Sequence, residues 1–389
     1  MKKVAIISYY HTESSLCLAK NVATPGISVD YYFFRLLPTD TGRVPGIEYQ
    51  RAKRVLGLHH LAPEEIPEII NYMNNSNVNF YAVGTLGETR RYRFVSWLIM
   101  KLTMFFVKQK NYDAINIVGQ APPVERIHNT FKHCNLIHTI HEVGSHQDGI
   151  STTSLINAII KDKSKVIFHS ESTLRRFLNI NGSNNNPVKV IPFGKFETNL
   201  LYEKDVDLGI DIPKGQIVFL CFGRIKPYKG LDLLLEAVNE LERTSSRFSL
   251  IIAGSGNDPS LDSFNKKANC IIINKHLSNN EMMKLNRLAS VVLMPYHSAS
   301  QTGIAPTAFL FGNPIVATSV GALPEVIVDH KNGLLVEQDN AKAFSNAMKQ
   351  LIDNPDLLQR LREGASQFGC NDKYDWACIA TKTIDFYFS

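Results

Sequence analysis

The 389-residue sequence lacks the cysteine patterns of a zinc-binding or disulfide-linked domain. Its six cysteines are scattered, and none forms a C-x-x-C pair. Several lie in apolar, strand-like runs such as VFLCF and NCIII, where cysteine usually acts as a small hydrophobic side chain. The pattern predicts a reducing compartment and no cysteine-bound metal.

Long apolar runs are also missing. The longest, FVSWLIMKLTMFFV at 94–107, is interrupted by Lys101, whereas a membrane-spanning helix needs about 20 apolar residues. The N-terminal run MKKVAIISYY is too short for a signal peptide and is more typical of a first β-strand. We expect no transmembrane helix. The expected location is the cytoplasm, either free or at the inner face of the cell membrane.

The charge balance is only mildly basic. Lys and Arg number 42 against 36 Asp and Glu, which gives a net charge of +6. No lysine-arginine run with interleaved aromatic residues is present, so no nucleic-acid partner is expected. The excess fits anionic substrates or a membrane surface equally well.

Short apolar, β-branched runs alternate with helical patterns along the whole chain. The strand-like runs are KVAIIS, SVDYYFF, VNFYAVG, DAINIVG, NLIHTI, KVIFHS, VKVIPF, IVFLCFG, FSLIIAG, CIIIN, SVVLMPY, PIVAT and GLLVE. Runs that are apolar throughout and separated by helices indicate parallel strands buried on both faces. The sequence therefore predicts an α/β protein of two doubly wound, Rossmann-like domains, which would hold a substrate between facing strand ends.

The predicted domain boundary lies in the seam between Pro192 and Gly215, which mixes Gly, Pro and charge without a clear period. We expect an N-terminal domain at 1–195 and a C-terminal domain at 196–370. Residues 371–389 are expected to form a helix that packs back on the first domain.

Two cations lie on one short loop in LCFGRIKPYKGLDLLLEAV. A strand ends at Phe222, Gly223 permits a tight turn, and Arg224 and Lys229 precede a helix. Arginine donates in a fork and lysine acts as a point charge, so the pair suits a diphosphate. A solvated surface loop is the alternative, although the position at a strand end favours binding.

The stretch HSASQTGIAP contains no charged side chain other than its histidine and precedes a predicted helix. Ser300, Gln301, Thr302 and Gly303 lie before that helix, whose first N–H groups favour an anion. An ordinary capped helix would use the same residue types.

Two weaker donor-side candidates follow other strands. Gly254 and Gly256 form a G-x-G after SLIIA, for which a simple tight turn is the favoured interpretation. His276 lies in a strand-to-helix loop, where it would meet a base. A surface histidine is at least as plausible there.

Taken together, these segments resemble a known family. FGRIKPYKGLDLLLEA, AGSG, PYHSASQTGIAP, FGNPIVATSVGALPEVI and NGLLVE, in this order, resemble the C-terminal domain of family-four glycosyltransferases of the GT-B fold. The likeness runs over roughly residues 216–365. In the first half, VIFHSESTLRRFL, KVIPFG and TIHEVGSHQDG resemble segments of the family's N-terminal domain.

The resemblance implies a retaining transferase whose co-substrate is a nucleotide-diphosphate sugar, with no further cofactor and no metal. Arg224 and Lys229 match the pair on the donor diphosphate and would be catalytic, and Gly223 belongs to the same loop. Gly303 and its neighbours match the loop that faces the distal phosphate and sugar. His141 resembles the family's histidine beside the transferred sugar, with a structural loop histidine as the alternative.

The chain departs from the family pattern in two places. Many members carry two glutamates in an E-x7-E arrangement, the first near the sugar and the second on the ribose hydroxyls. Here Ser300 stands near the first position and Thr307 near the second, so both are donor-side candidates. The N-terminal glycine-rich loop is also replaced by YYHTESS. His11, Thr12 and Glu13, together with the weaker candidate His146, would line the acceptor side. Helix capping by Thr12 or Ser14 explains part of this stretch equally well.

Residues 90–110 combine six cations with apolar and aromatic side chains. Such a segment is typical of a helix lying on an anionic membrane, or of a buried helix with a solvated basic end. We therefore expect transfer to a glycan or lipid-linked acceptor in the synthesis of a bacterial surface polysaccharide. A nucleotide-sugar epimerase and a non-catalytic subunit of the same fold remain the alternatives.

Overall fold

The computed structural model describes residues 1–9, 11–37, 56–74, 76–86, 93–120, 122–143, 153–182, 185–202, 205–370 and 372–389. The chain divides into two compact units. The first contains Met1–Leu201 and Lys373–Ser389, and the second contains Tyr202–Asp372. Each is built around one β-sheet with helices on its faces.

Fourteen strands are present in the described residues. Those of the first unit are β1 (Lys2–Ser8), β2 (Ile27–Leu37), β3 (Gly57–His60), β4 (Val78–Leu86), β5 (Ala114–Val118), β6 (Leu136–Ile140), β7 (Lys165–Phe168) and β8 (Val188–Val190). Those of the second are β9 (Ile217–Phe222), β10 (Phe248–Ala253), β11 (Cys270–Ile273), β12 (Val291–Met294), β13 (Ile315–Thr318) and β14 (Gly333–Val336). All thirteen strands that the pattern predicted are found, and β3 is additional.

The described residues also form fourteen α-helices. They are α1 (Thr12–Val22), α2 (Pro67–Met73), α3 (Arg93–Lys108), α4 (Pro122–Phe131), α5 (Thr153–Lys161), α6 (Glu171–Asn181), α7 (Leu231–Glu242), α8 (Ser260–Phe264), α9 (Asn279–Leu288), α10 (Ile304–Leu310), α11 (Leu323–Val326), α12 (Ala341–Asp353), α13 (Pro355–Gln367) and α14 (Trp376–Phe388). None of the helices within the described ranges is long and apolar enough to cross a membrane.

The sheet of the first unit has the order β3-β4-β2-β1-β5-β6-β7-β8. All its pairs are parallel except β3 with β4, which is antiparallel at one edge. The chain winds outward from β1 in both directions. The order therefore reverses between β1 and β5, the place where open α/β sheets bind ligands beyond their carboxyl ends.

The last helix, α14, belongs to the first unit. Trp376 and Tyr387 are buried in its core, and the indole Nε1 of Trp376 donates to the carbonyl of Lys195 at 2.7 Å. The short 3₁₀ helix Glu197–Tyr202 also belongs to this unit except for its last residue, and the Thr198 hydroxyl donates to the Glu13 carbonyl at 3.0 Å. The boundary consequently follows Leu201, whereas the sequence pattern placed it after residue 195.

The second unit has the order β11-β10-β9-β12-β13-β14, and all its strands pair in parallel. Counted from β9 as the first strand, this is 3-2-1-4-5-6, the doubly wound arrangement that binds dinucleotides. Its switch point lies between β9 and β12. The loops that follow these two strands carry the Arg224–Lys229 segment and the stretch before Gly303.

Candidate active site

The loop after β9 brings two separately predicted features together. A Cβ at position 223 would lie 3.9 Å from Nζ of Lys229 and 3.3 Å from Cδ1 of Ile304, the first residue of α10. Gly223 has φ +108°, a conformation that favours glycine. Arg224 is exposed, whereas Lys229 is only 9% exposed. The cationic loop and the start of α10 thus lie side by side at the switch point.

The ammonium group of Lys229 is buried among aromatic rings. It donates to the hydroxyl of Tyr296 and lies 4.0 Å from the centroid of that ring and 5.3 Å from that of Tyr228. Burial is the main cause that lowers the pKa of Lys229 to about 8; Arg224 lowers it further, and Cys221 opposes the shift. In the described part of the chain no carboxylate pairs with this lysine, so a bound anion would be its natural counter-charge.

His297 connects the loop after β9 to helix α7 and to Asp339. Its Nε2 lies 2.8 Å from Oδ1 of Asp232 in the first turn of α7, and its Nδ1 lies 2.8 Å from Oδ1 of Asp339. Its backbone N–H donates to the Tyr228 carbonyl at 2.9 Å. Burial opposes the charged form, but the hydrogen bonds to Asp232 and Asp339 outweigh it and raise the pKa of His297. An imidazolium with two carboxylate acceptors fits this geometry.

The G-x-G after β10 packs directly against the cationic loop. The Ile225 N–H donates to the Ser255 carbonyl at 2.9 Å. A Cβ at Gly254 would lie 1.9 Å from the Gly223 oxygen, and one at Gly256 would lie 2.0 Å from the Ile225 oxygen. Both positions therefore need glycine for the close approach of two backbones. A direct contact of Gly254 or Gly256 with the donor stays a prediction.

Two threonine hydroxyl groups hydrogen-bond to the backbone at the start of α10. The Thr302 side chain accepts from the Ile304 N–H at 3.0 Å, and no side chain caps the helix from Gly303. Thr307 is buried, and its hydroxyl donates to the Gly303 carbonyl at 2.9 Å. The resemblance placed Thr307 near the family's ribose-binding glutamate; in the structure its hydroxyl bonds to the backbone of its own helix.

The remaining donor-side candidates differ in their surroundings. Ser300 and Gln301 are half-buried just before α10. His276 is exposed in the loop between β11 and α9, where Lys275 pairs with Glu281 at 2.7 Å. Since β10 separates β11 from β9, the ends of these two strands are about 10 Å apart. The structure therefore sets His276 to the side of the cationic loop.

The first unit collects three histidines at the carboxyl ends of its strands. His11 follows β1, His141 follows β6 and His169 follows β7. The rings of His11 and His141 stack with their centroids 3.4 Å apart, and the His169 ring lies 4.8 Å from that of His141. Phe193 stacks on His169 at 3.7 Å. The sequence singled out His11 and His141 but missed His169 and Phe193.

His141 is held through its backbone and leaves its ring polar atoms unused. The Gln120 side chain accepts from the backbone N–H groups of His141 at 3.2 Å and Glu142 at 2.8 Å. Both ring nitrogens of His141 are buried without a hydrogen-bond partner in the described residues. Burial, together with His11 and His169, lowers its pKa well below the usual value. A neutral imidazole offers one donor and one acceptor, which suits a sugar hydroxyl.

The other acceptor-side candidates lie around the start of α1. Thr12 is buried and Glu13 is half-buried in its first turn. The helix begins after His11, whose side chain makes no capping hydrogen bond, and the Ser14 hydroxyl donates to the His11 carbonyl at 3.4 Å. His146 lies outside the described residues.

The second half of the chain is similar in sequence to known glycosyltransferases. The family model for glycosyl transferases group 1 matches residues 208–368. This segment, here called the group 1 domain, is similar to that family. The D-inositol 3-phosphate glycosyltransferase of Corynebacterium aurimucosum is 30% identical over 190 residues, which are 46% of this chain and 44% of that protein. The chain thus spans less than half the length of the curated relatives it matches.

Solved structures match the chain over its whole length. Sucrose-phosphate synthase from Thermosynechococcus elongatus superposes with a TM-score of 0.68 at 16% identity, covering 100% of this chain and 98% of that one. Anabaena Alr3699/HepE in complex with UDP and glucose gives 0.64 at 15% identity, covering 99% of each chain. At such identities the likeness shows the fold, and the predicted GT-B fold is confirmed. Within it, the group 1 domain is the unit that carries Arg224 and Lys229.

Proposed function

We propose that the chain is a retaining glycosyltransferase that moves a sugar from a nucleotide-diphosphate sugar to a glycan or lipid-linked acceptor. The observation that carries this proposal is the buried ammonium group of Lys229, which pairs with no carboxylate among the described residues and lies beside Gly223 at the switch point of the group 1 domain. The comparison adds support, since Alr3699/HepE is a structure in complex with UDP and glucose.

In the proposed reaction the bond between the sugar anomeric carbon and the diphosphate oxygen breaks. The acceptor hydroxyl attacks from the same face, and its proton passes to the departing diphosphate oxygen. Lys229 supplies a fixed positive charge to the leaving group, and Arg224 supplies a planar donor fork. Because Lys229 is already desolvated, its charge acts in a medium of low dielectric and needs little reorganisation.

The first unit would recognise the acceptor and the transferred sugar. His141, neutral and with both ring nitrogens unpartnered in the described residues, would accept from one hydroxyl and donate to another. A lipid-linked acceptor in surface polysaccharide synthesis would bring the enzyme to the inner face of the cell membrane, with peripheral contact through residues 90–110. That no metal takes part stays a prediction.

Donor binding tests the first half of the proposal. The wild-type protein is titrated by calorimetry with UDP, GDP and dTDP, and Arg224→Ala and Lys229→Ala are compared with it. We expect each substitution to weaken nucleotide binding by about 10–100-fold, the effect of removing a charge-assisted hydrogen bond. Lys266→Ala, an exposed lysine of the same unit, serves as the control. Equal affinity in all four proteins would show that the nucleotide does not bind at this loop.

Product analysis then separates transfer from its alternatives. A labelled nucleotide sugar is incubated with and without an extract of lipid-linked glycans. Label in the acceptor fraction with retained anomeric configuration supports the proposal. An epimerised nucleotide sugar formed without acceptor indicates the epimerase instead. Nucleotide binding without any turnover indicates a non-catalytic subunit.

A further inference from the structure

Helix α3 exposes an unusual number of large apolar side chains for a helix at the protein surface. Its buried side chains are Ser96, Met100, Thr103, Met104 and Val107. Its exposed large apolar side chains, here called the α3 outer face, are Phe94, Val95, Trp97, Leu98, Leu102, Phe105 and Phe106. A helix at a protein surface normally turns its apolar side inward and its polar side to water. In α3 the hydroxyl groups point inward, and most of the large apolar rings point outward.

The inward-facing hydroxyl of Ser96 donates a hydrogen bond to the carbonyl of Leu86, the last residue of β4, at 2.5 Å. This contact, with the buried Met100 and Met104, fixes which side of α3 faces the sheet. The helix cannot rotate its aromatic side chains inward without burying Lys101. The orientation of the outer face is therefore determined by packing.

The outer face is large and continuous. Phe94 is 70% exposed, Phe106 60% and Phe105 54%. Phe94 stacks with Trp97 at 5.7 Å in the first turn, and Phe105 and Phe106 lie 5.9 Å apart near the last. Seven of the thirteen exposed large apolar side chains in the described residues belong to this one helix. Patches of this kind mark interaction surfaces.

The charge of the segment indicates which partner covers the face. Residues 90–110 contain six Lys and Arg and no Asp or Glu. The exposed Lys101 lies within the face, with its Nζ 5.1 Å from the Trp97 ring. A second copy of the chain, packed face to face, would oppose like charges without any carboxylate on the helix to pair them. Anionic lipid headgroups supply the missing negative charge.

We infer that the α3 outer face binds an anionic membrane surface, with the helix lying in the plane of the interface. The 16 residues of α3 are about 24 Å long and carry the aromatic, leucine and lysine side chains that such helices insert between headgroups and acyl chains. This inference rests on the peripheral membrane contact of the proposed function and narrows it to one face of α3, while its test does not depend on sugar transfer.

Trp97 is a built-in reporter for the test. The chain has two tryptophans, and the other, Trp376, is buried in the core of the first unit. The full chain is mixed with vesicles of phosphatidylcholine alone, or of phosphatidylcholine with phosphatidylglycerol. We expect a blue shift of the emission and co-flotation with the anionic vesicles, both weakened by salt. No binding to anionic vesicles at low salt would overturn the inference.

Two variants locate the contact. Phe105→Ser/Phe106→Ser should lower the vesicle partition constant by about tenfold or more, which corresponds to about 1.4 kcal/mol. Lys101→Glu should lower it for anionic vesicles only. Ile180→Ser is the matched control, because Ile180 on α6 is 57% exposed in the same unit. Partition constants unchanged by the α3 variants would contradict the inference.

Two further readouts keep the result unambiguous. Light scattering shows whether the wild-type chain is a dimer that Phe105→Ser/Phe106→Ser converts to a monomer, which would assign the face to a second copy instead. Calorimetry with UDP should give the same affinity for the α3 variants as for the wild type. Lys229→Ala should bind vesicles normally, so failure of the membrane contact and failure of the donor site are distinguishable.

Discussion

The ammonium group of Lys229 lies 4.0 Å from the centroid of the Tyr296 ring, buried behind the loop that follows the first strand of the group 1 domain. The ring and its hydroxyl hold the lysine in place without neutralising it. A cation held in this way gains more from an incoming anion than a solvated lysine does, because the cost of desolvation has already been met in folding.

The first prediction concerns the pH dependence of nucleotide binding. Burial lowers the pKa of Lys229 to about 8, so the free protein loses this charge as pH rises through 8. We expect UDP affinity to be greatest below pH 8 and to fall between pH 8 and 10. Lys229→Met should bind weakly and without this pH dependence. Calorimetry across pH 7–10 measures both, and a flat wild-type profile would contradict the assignment.

The second prediction concerns the stability of the free protein over the same range. A lysine whose folded-state pKa is below its unfolded value binds fewer protons in the native state. The free energy of unfolding should therefore rise as pH increases from about 8 toward the ordinary lysine value of about 10.4. The difference between wild type and Lys229→Met, followed by urea denaturation, isolates this contribution. A constant difference across that range would argue against a buried, charged lysine.

The third prediction concerns His297, which we regard as a positioning residue. Its pKa is raised by Asp232 and Asp339, the two carboxylates that face its ring, so its contribution is complete below the unfolded value of about 6.5. The contribution is lost as pH rises through the folded pKa. His297→Gln should destabilise the protein by about 1 kcal/mol at pH 6, since both carboxylates are largely exposed, and by less at pH 9.

Thermal unfolding at the two pH values measures this difference. The control is His297→Gln in an Asp232→Asn/Asp339→Asn background, where both carboxylates that face the ring are gone and the substitution should cost the same at both pH values. A destabilisation by His297→Gln that is equal at both pH values would mean that the neutral ring packs equally well.

The fourth prediction concerns the G-x-G segment. Gly254→Ala and Gly256→Ala would each drive a Cβ to within about 2 Å of a backbone oxygen of the cationic loop, at φ values of 145° and 153°. We expect a loss of about 1–3 kcal/mol in stability and weaker UDP binding, because the loop must shift. Gly26→Ala meets no atom within 4 Å and should be neutral. Unchanged UDP affinity in stable variants would show that UDP binding does not depend on the packing of the G-x-G segment against the cationic loop.

The fifth prediction concerns His141. Its replacement by Ala should lower the rate of transfer by about 100-fold, the effect of losing one oriented hydrogen-bonding group at a reacting centre, while UDP affinity stays unchanged. Steady-state kinetics and calorimetry separate these quantities. His133→Ala, an exposed histidine of the same unit, is the control. Normal transfer by His141→Ala would assign this residue to packing alone.

Much of the fold follows from local sequence pattern. Apolar β-branched runs predicted thirteen of the strands. A local S-x-x-E pair, Ser278 and Glu281, also forms a reciprocal capping box at the start of α9. Such features depend on residues within a few positions of one another. The short edge strand β3 was missed because GLHH carries little strand signal and pairs only with a neighbour distant in sequence.

What the sequence by itself determined were the two α/β sheets and the residue types at their strand ends, among them the Arg224–Lys229 loop and His141. Only the tertiary structure decided which strand ends meet, because strand order depends on long-range pairing. It buried Lys229 against Tyr296, turned Thr307 toward Gly303 and gathered His169 and Phe193 around His141. It also decided that α3 turns its aromatic side outward, since a helix apolar on nearly every side can be oriented only by what it packs against.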